Sequence, residues 1–365
     1  MVACATMTRL DYADRTADKD GWARELGISR EALDLYLACE VVDLHVDTFL
    51  WHRILRYDLC ARHPLGWNRA FYFGQVDLPR IREARIAGAI WVITTNPLRR
   101  ASRRPEVLVD NFHALRAELA RAPDDVAFVR NVAEYRAARA AGKHAAFIGI
   151  QGGNALDRDA GALDLIPDDG VVRITLVHLS SSRIGVTSSP LKLGAQAGLT
   201  DFGRDYVRRM NDKRILVDLA HIDRKGFFDA LEVHDRSQPV LATHTGVSGV
   251  LPHWRNLDDE QVRAVADLGG TVGIIYQDQF LGGTMCRGKL AAIVDHLEHV
   301  VELVGDDHAS LGSDWDGMIV APRDMPTCLE LPRIVQAMLD RKWSPDRVRK
   351  VLGGNALRTI EAVRG

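Results

Sequence analysis

Eight short apolar runs, separated by segments with helical periodicity, constrain the fold of this 365-residue chain more than any other feature. The runs are rich in Val, Ile, Leu and Ala and lack a polar face. This is typical of strands in a parallel sheet that helices cover on both sides. They occupy residues 41–46, 88–94, 145–150, 172–177, 215–219, 240–243, 271–276 and 309–313.

The segments between these runs place Ala, Arg, Glu and Leu at helical spacing, most clearly at 105–121, 200–213, 258–268 and 290–303. Eight strands alternating with helices predict an α/β fold, a (β/α)8 barrel of the TIM type. An open doubly wound sheet is the alternative. It is less favoured because no glycine-rich phosphate turn follows the first run.

We expect one barrel domain that spans residues 1–365, because no linker, low-complexity tract or internal repeat interrupts the pattern. Barrels of this class commonly reach roughly 250 residues or more as single domains. Residues 1–40 are predicted to form an N-terminal helical leader, in which Ser29 is a candidate helix cap. Residues 345–365 are predicted to form a C-terminal helix that packs on the barrel.

Charge and cysteine content limit which cellular compartment and which classes of binding partner we expect. The chain has 47 Lys and Arg and 49 Asp and Glu, a net charge of -2, which does not favour nucleic acid or an anionic membrane as a partner. The N-terminal segment lacks the apolar centre of a secretory signal, and no apolar run has the length of a membrane span. We therefore expect a cytoplasmic protein. Its cysteines are scattered and predict neither disulfides nor a thiolate zinc site: Cys4, Cys39, Cys60, Cys286 and Cys328.

Polar side chains follow six of the eight apolar runs, at the point where each run ends. The carboxyl ends of barrel strands converge on one mouth, so these side chains should lie close together. His45 and Asp47 point to the same side of the first strand, because strand residues alternate. Imidazole and carboxylate groups are zinc ligands, so the pattern predicts a metal-dependent hydrolase. The other side chains at strand ends are Gln151, His178, His221, His244 and Asp314.

The histidines after the fifth and sixth runs can bind one metal ion together. His221 and His244 follow adjacent strands and offer two imidazole nitrogens, while His45 and Asp47 lie opposite. These ligands suffice for one metal, or for two if an anionic group bridges them.

Two further residues are candidates for the chemistry. Asp314 can handle the protons of a metal-activated water, although an aspartate at this point can also cap the next helix. His178 can polarise a substrate carbonyl or stabilise an oxyanion. A buried histidine with only a hydrogen-bonding role explains the pattern at His178 equally well.

Several stretches, in the same order along the chain, resemble the membrane dipeptidase (renal dipeptidase) family. They begin near Val41 and continue to the C-terminus, which makes the resemblance more specific than any single motif. The clearest are VVDLHVDT, GIQGGNAL, VRITLVHLS, GLTDFGRDYVRRMNDKRILVDLAHI, ATHTGVSGVLPHWRNLDDE and LGSDWDG.

The resemblance implies an amidohydrolase-type barrel and zinc-dependent hydrolysis of dipeptides, including dehydropeptides and peptides with D-configured C-terminal residues. It also implies a homodimer, since the family is often dimeric. His45 and Asp47 match the ligands of one zinc, and His221 and His244 match two ligands of the other. The resemblance assigns carbonyl polarisation to His178, the substrate carboxylate to Arg255, and catalysis to Asp314.

One position departs from the family pattern. Gln151 stands where the family has a glutamate that bridges the two zinc ions, and Asn154 replaces a histidine nearby. An amide offers one neutral carbonyl oxygen and removes a full negative charge that two adjacent dications need. We therefore expect Gln151 to be a weak ligand at most, with one zinc bound and a second site of low affinity.

Three functional hypotheses follow. The first is a metallo-dipeptidase, or a close amide hydrolase, that acts on a small dipeptide-like substrate. The second is a diverged member that acts on another amino-acid-derived intermediate, and the third is a metal-free binding protein. We favour the first, because the family's other site residues are present together. Residues 50–74, rich in aromatic side chains and arginine, are predicted to form a lid.

Overall fold

A parallel β-barrel forms the centre of the molecule, which we describe from a computed structural model of residues 7–65, 70–159, 161–190, 197–283 and 288–365. Nine strands pair in one sheet within these ranges. They are β1 (Val42–Val46), β2 (Gly88–Thr94), β3 (Val126–Phe128), β4 (His144–Gln151), β5 (Arg173–Thr175), β6 (Leu216–Asp218), β7 (Leu241–Thr245), β8 (Thr271–Ile274) and β9 (Ala309–Leu311).

The sheet closes on itself. Its strand order is β1-β2-β4-β5-β6-β7-β8-β9, with β3 paired only to the first half of β4. Val46 and Trp315 form a parallel bridge that joins the first strand to the segment after the last. The Asp47 N–H donates to the Trp315 carbonyl at 2.9 Å, and the Asp314 N–H donates to the His45 carbonyl at 3.0 Å. This closed ring of eight strands confirms the predicted (β/α)8 barrel.

Helices alternate with the strands and cover the barrel. The four helices that the sequence predicted most clearly are all present, with ends within two residues of the prediction. The α-helices are α1 (Lys19–Leu26), α2 (Arg30–Leu37), α3 (Phe49–Leu55), α4 (Leu78–Glu83), α5 (Arg104–Leu119), α6 (Val132–Ala140), α7 (Asp201–Asp212), α8 (Arg224–Val233), α9 (Asp259–Asp267), α10 (Ala291–Val304), α11 (Pro332–Asp340), α12 (Pro345–Arg349) and α13 (Asn355–Arg364).

Helices lie near both ends of the described chain. At the start, Gly27 ends α1 in the left-handed conformation, and the Ser29 hydroxyl accepts from the Ala32 N–H to cap α2. At the end, a π-helical turn interrupts the predicted helix between α12 and α13. Gly353 lies in that turn against the Glu40 backbone, where a Cβ atom would be 1.9 Å from the carbonyl oxygen. Only glycine permits this approach.

The cysteines of the described residues are unpaired. Cys39, Cys60 and Cys328 are free thiols, while the other two cysteines lie outside the described residues. None of the helices within the described ranges combines the length and the apolar composition that crossing a membrane requires.

Candidate metal centre

The predicted site residues meet at the mouth of the barrel, where the carboxyl ends of the strands converge. His45 and His244 lie within β1 and β7, and Gln151 ends β4, so the backbone of each is fixed by the sheet. The others follow strand ends, and all except His178 are buried. The complete set is His45, Asp47, Gln151, His178, His221, His244, Arg255 and Asp314.

The tautomer of His244 is set by a chain of hydrogen bonds beneath it. The Thr243 hydroxyl donates to the Asp218 carboxylate at 2.6 Å, so its oxygen accepts from Nδ1 of His244 at 2.8 Å. With its proton on Nδ1, His244 presents the lone pair of Nε2 to the mouth. A histidine held in this way by its other nitrogen is typical of a metal ligand.

Nε2 of His45 also faces the site, but its other nitrogen has an unusual partner. The buried Arg173 guanidinium donates to Nδ1 at 2.8 Å, and a guanidinium cannot accept in return. The proton of neutral His45 therefore lies on Nε2, which has no hydrogen-bond partner among the described residues. For Nε2 to bind a cation as part of a neutral imidazole, the proton must lie on Nδ1 instead, so the Arg173 N–H must turn away from that nitrogen; the Asp314 carboxylate lies 3.5 Å from Nε2.

Gln151 lies between the other imidazoles. Its amide nitrogen is 3.2 Å from Nε2 of His221 and 3.2 Å from Nε2 of His244, and those two nitrogens are 2.8 Å apart. An amide nitrogen can only donate, so in this orientation Gln151 competes with a metal for the lone pair on Nε2 of His244, and the amide must turn away when a metal binds there.

Thr94 connects Gln151 to Asp47. Its hydroxyl lies 2.6 Å from a carboxylate oxygen of Asp47 and 2.9 Å from the amide oxygen of Gln151. The hydroxyl has one proton for these two acceptors. If the proton goes to Asp47, the Thr94 oxygen can accept from a rotated Gln151 amide, whose carbonyl oxygen then faces the imidazoles. The amide can therefore either donate hydrogen bonds to His221 and His244 or turn its oxygen toward them, where it is a neutral ligand for a metal.

Two of the site residues have strained backbones. His221 and Asp314 have φ angles of 68° and 61°, in the left-handed region that residues with a side chain seldom adopt. Such strain is found mainly where a side chain must be held in a functional position. Burial and the nearby Asp47 raise the pKa of Asp314 well above its usual range, and Arg255 opposes this shift.

Arg255 and His178 lie beside these ligands. Arg255 donates to the His244 carbonyl at 2.5 Å, its Nε has no partner, and no carboxylate of a described residue lies within 4.0 Å of its guanidinium. The ring of His178 is perpendicular to that of His221, with centroids 4.6 Å apart. Partial burial and the neighbouring Arg255 lower the pKa of His178 to about 3, so the imidazole is neutral at pH 7. Arg255 can pair with an anionic group, and His178 can donate one hydrogen bond.

The donor set fits a divalent metal. Within the described ranges, one group of three potential ligands has donor atoms that all lie within 4.8 Å of one another: His45, His244 and Asp314. Two imidazoles and a carboxylate suit zinc and similar ions. The geometry thus places the Asp314 carboxylate beside these imidazoles, where it can exchange protons with water at the site, while Asp47, which the resemblance pairs with His45, is hydrogen-bonded to Thr94. The individual roles of these residues remain predictions.

Sequence reasoning missed the polar residues that support the ligands. Arg173 and Asp218 are fully buried and form an ion pair at 3.2 Å inside the barrel. Thr175 and Thr243 complete their hydrogen bonds. Each charge lies within an otherwise apolar run, VVRITLV or ILVDL, and an isolated charge in a buried strand is the signal that identifies such residues.

Comparison with known proteins gives a consistent result. The family model "Membrane dipeptidase (Peptidase family M19)" matches residues 29–365. A relative described as dipeptidase tcpJ, from Claviceps purpurea (strain 20.1), is 29% identical over 307 residues, which is 80% of this chain and 69% of the relative.

Solved structures agree. A metallo peptidase of family M19, described as dipeptidase AC, has a TM-score of 0.77 and 27% identity, covering 90% of this chain and 99% of the other. A metallo peptidase from Rhodobacter sphaeroides, liganded with a phosphinate mimic of the dipeptide L-Ala-D-Ala, has a TM-score of 0.77 and 26% identity, covering 89% and 99%. The resemblance drawn from the sequence is confirmed: this chain belongs to the membrane dipeptidase family, peptidase family M19, and is a metallohydrolase of that family.

Proposed function

We propose that the protein hydrolyses the amide bond of a dipeptide, or of a similar small N-acyl amino acid, with one tightly bound zinc ion. The observation that carries the proposal is the buried cluster of His45, His244 and Asp314 at the barrel mouth, with an unpaired Arg255 beside it. Family membership supports the reaction class, and the dipeptide mimic bound by the Rhodobacter sphaeroides relative supports the substrate class.

Charge favours a single metal. Outside the Arg173–Asp218 ion pair, the predicted site contains the carboxylates of Asp47 and Asp314 and the guanidinium of Arg255. With one dication these groups sum to a charge of about +1, and with two dications to about +3, in a buried site. A glutamate at position 151 would lower each sum by one. Gln151 therefore weakens the second metal more than the first.

Each protein group has a distinct task in this proposal. A bound zinc ion supplies Lewis acidity, which polarises a carbonyl and makes water more acidic. Arg255 pairs with the substrate's terminal carboxylate and so orients the peptide. His178, neutral at pH 7, donates its N–H to the oxygen of the scissile carbonyl. Asp314 accepts a proton from the attacking water and passes it to the leaving amine, a role that its raised pKa suits.

The direct test measures metal and turnover on the same sample. We expect elemental analysis of protein purified without chelator to find close to one zinc per chain, and added zinc to support hydrolysis of simple dipeptides. Two tightly bound ions would contradict the single-metal proposal. Metal without turnover of any dipeptide would favour the diverged-enzyme alternative, and protein without metal or turnover would favour a binding role.

Asp314→Asn tests the proton-transfer role. We expect a loss of turnover of roughly 10²- to 10⁴-fold, typical for loss of a general acid or base, with metal content nearly unchanged. Asp346→Asn, on exposed helix α12, is the matched control and should keep both. If Asp314→Asn loses metal together with activity, Asp314 is a ligand rather than the proton carrier.

A further inference from the structure

A cavity of about 640 Å³ opens beside the metal centre, between α3 and the end of β2. The beginning of the segment predicted to form a lid, residues 50–54, contributes to its wall, and residues 66–69 of that segment lie outside the described residues. His178 belongs to its wall, and so does Thr94, which contacts Asp47 and Gln151. The cavity is therefore continuous with the place where the scissile bond must lie. Its wall also contains two arginines, Arg53 and Arg99.

Arg53 is a half-buried cation without an anionic partner. One of its terminal nitrogens donates to the Thr94 carbonyl at 2.8 Å, while Nε is buried and has no hydrogen-bond partner among the described residues. Among the described residues, no carboxylate lies within 4.0 Å of the Arg53 guanidinium, which lies over the Phe49 ring at 5.6 Å. Burial lowers the pKa of Arg53, Arg99 lowers it further, and Asp47 opposes the shift.

Two more arginines strengthen the positive field here. Arg99 is exposed on the same wall and takes part in no ion pair within the described ranges. Arg104 joins Arg53 and Arg99 around an adjoining smaller cavity, and its nearest carboxylate, Asp157, is 3.9 Å away. The one acid that stabilises Arg53 is Asp47, itself a predicted metal ligand. A concave wall with several guanidiniums and few carboxylates concentrates anions.

The position of this cavity determines which part of a substrate reaches it. In the closed ring of eight strands, β2 is second and β7 is sixth, so they lie on opposite sides of the barrel. Arg255 is held against the carbonyl of His244 on β7, and Arg53 is held against the carbonyl of Thr94 on β2. A peptide with its C-terminal carboxylate at Arg255 extends across the metal centre, so its N-terminal, or acyl, residue faces Arg53.

We propose that Arg53 and Arg99 form a second anion site that selects substrates with a carboxylate on the N-terminal, or acyl, residue. This inference rests on the proposed dipeptidase function and names its substrate class: dipeptides that begin with an acidic residue. A guanidinium wall repels the ammonium group of a neutral N-terminal residue, and a side-chain carboxylate offsets that repulsion. The other terminal nitrogen of Arg53, which has no hydrogen-bond partner among the described residues, can donate to such an oxygen without displacing the bond to Thr94.

The test compares two isosteric substrates, Glu-Ala and Gln-Ala, each made with L- and with D-alanine. They differ in charge but hardly in shape. We expect kcat/KM to be roughly 10- to 100-fold higher for Glu-Ala, the range of a charge-assisted hydrogen bond. In Arg53→Gln the ratio of the two kcat/KM values should fall toward one. Arg100→Gln, an exposed neighbour outside the cavity wall, should leave the ratio unchanged.

A second measurement separates this proposal from the proposed function. Phosphinate mimics of the same two dipeptides are not hydrolysed. The difference between their affinities, measured by calorimetry, therefore reports the anion site without any contribution from turnover. If neither peptide is cleaved but the glutamyl mimic binds more tightly, and Arg53→Gln removes the difference, the site is real and the dipeptidase function is wrong. Equal affinities or rates for the glutamyl and glutaminyl compounds would overturn the anion site.

Discussion

At the scale of single residues, we expect Gln151 to determine how many metal ions the candidate site binds. A glutamate brings two anionic oxygens to the centre of the site, whereas the glutamine brings one neutral oxygen and two N–H donors. Here those donors lie 3.2 Å from Nε2 of His221 and of His244. We therefore expect position 151 to lack the anionic bridge that a second cation needs, while Asp47 and Asp314 still supply carboxylates for one ion.

Substitution of this residue tests the argument. We expect Gln151→Glu to raise bound zinc toward two per chain, to tighten the second site by at least roughly tenfold, and to increase dipeptide hydrolysis. Gln151→Met is the matched control, since it removes the amide donors without adding charge, and its metal content should stay near one. A gain of metal in both variants would mean that the N–H donors, rather than the missing charge, limit binding. Unchanged metal in Gln151→Glu would refute the role of position 151.

The sequence predicts the residues that face the site better than those that support them. His45, Asp47 and Asp314 follow apolar runs, so their position at the mouth is a consequence of the barrel alone. The partner of His45 is Arg173, 128 residues away, and no local pattern specifies such a pair across the barrel. Arg53 was likewise one arginine among several in a segment rich in them, and only the folded chain shows that it lacks an ion-pair partner.

At the scale of elements, the alternation of apolar runs and helices was enough to predict the barrel, but not its irregularities. β1 and β2 shift register between Asp43 and Val46, and β7 and β8 shift between Ala242 and Thr245. These irregularities flank His45 and His244, and a bulge re-aims the side chains near it. The missed strand β3 has only 3 residues and is partly exposed, so its apolar pattern is weak.

A buried histidine at the start of β4 makes the stability of the fold depend on pH. His144 accepts from the Trp91 indole at 3.1 Å and donates to the Ile86 carbonyl at 3.0 Å, which leaves no room for a second proton. Burial lowers its pKa to about 3, and Arg82 and Arg139 contribute. The unfolded chain binds a proton near pH 6.5 and the folded chain only near pH 3. Stability present above pH 6.5 is therefore lost as the pH falls toward 3.

His144→Gln keeps one donor and one acceptor but does not titrate. Between pH 7 and pH 5, we expect the unfolding free energy of the variant to fall by about 2 kcal/mol less than that of the wild type, as urea denaturation would show. His113→Gln, on the exposed face of α5, is the control and should behave like the wild type. Equal falls for His144→Gln and the wild type would show that His144 is not the group responsible.

At the scale of the whole molecule, the candidate metal centre lies on the seam where the barrel closes. His45 and Asp314 belong to opposite ends of the sheet and are joined by a backbone hydrogen bond at 3.0 Å. The Asp43 carboxylate accepts from the Ser313 N–H across the same seam, also at 3.0 Å. Because closure brings the ligands together, a bound metal stabilises only the closed barrel, and metal loss should lower its stability.

The seam continues above the metal centre through Asp316. Its carboxylate, fully buried, accepts from the Thr48 hydroxyl at 2.7 Å and from the Gln75 N–H at 2.8 Å. Its own N–H donates to the Gln75 side chain at 2.7 Å. These bonds tie the segment after β9 to two segments near β1, so loss of the carboxylate leaves two buried donors without acceptors.

Asp316→Ala should therefore destabilise the protein by roughly 2 to 6 kcal/mol, since each unsatisfied buried donor costs roughly 1–3 kcal/mol. Asp316→Asn keeps one acceptor oxygen and should lose less, which keeps the comparison measurable if the alanine variant does not fold. Asp346→Ala, on exposed α12, should change stability by no more than about 0.5 kcal/mol. The measurement is chemical denaturation of metal-free protein, so that metal affinity does not contribute. A loss below 1 kcal/mol for both Asp316 variants would show that the backbone bridge between Val46 and Trp315, rather than this carboxylate, holds the seam together.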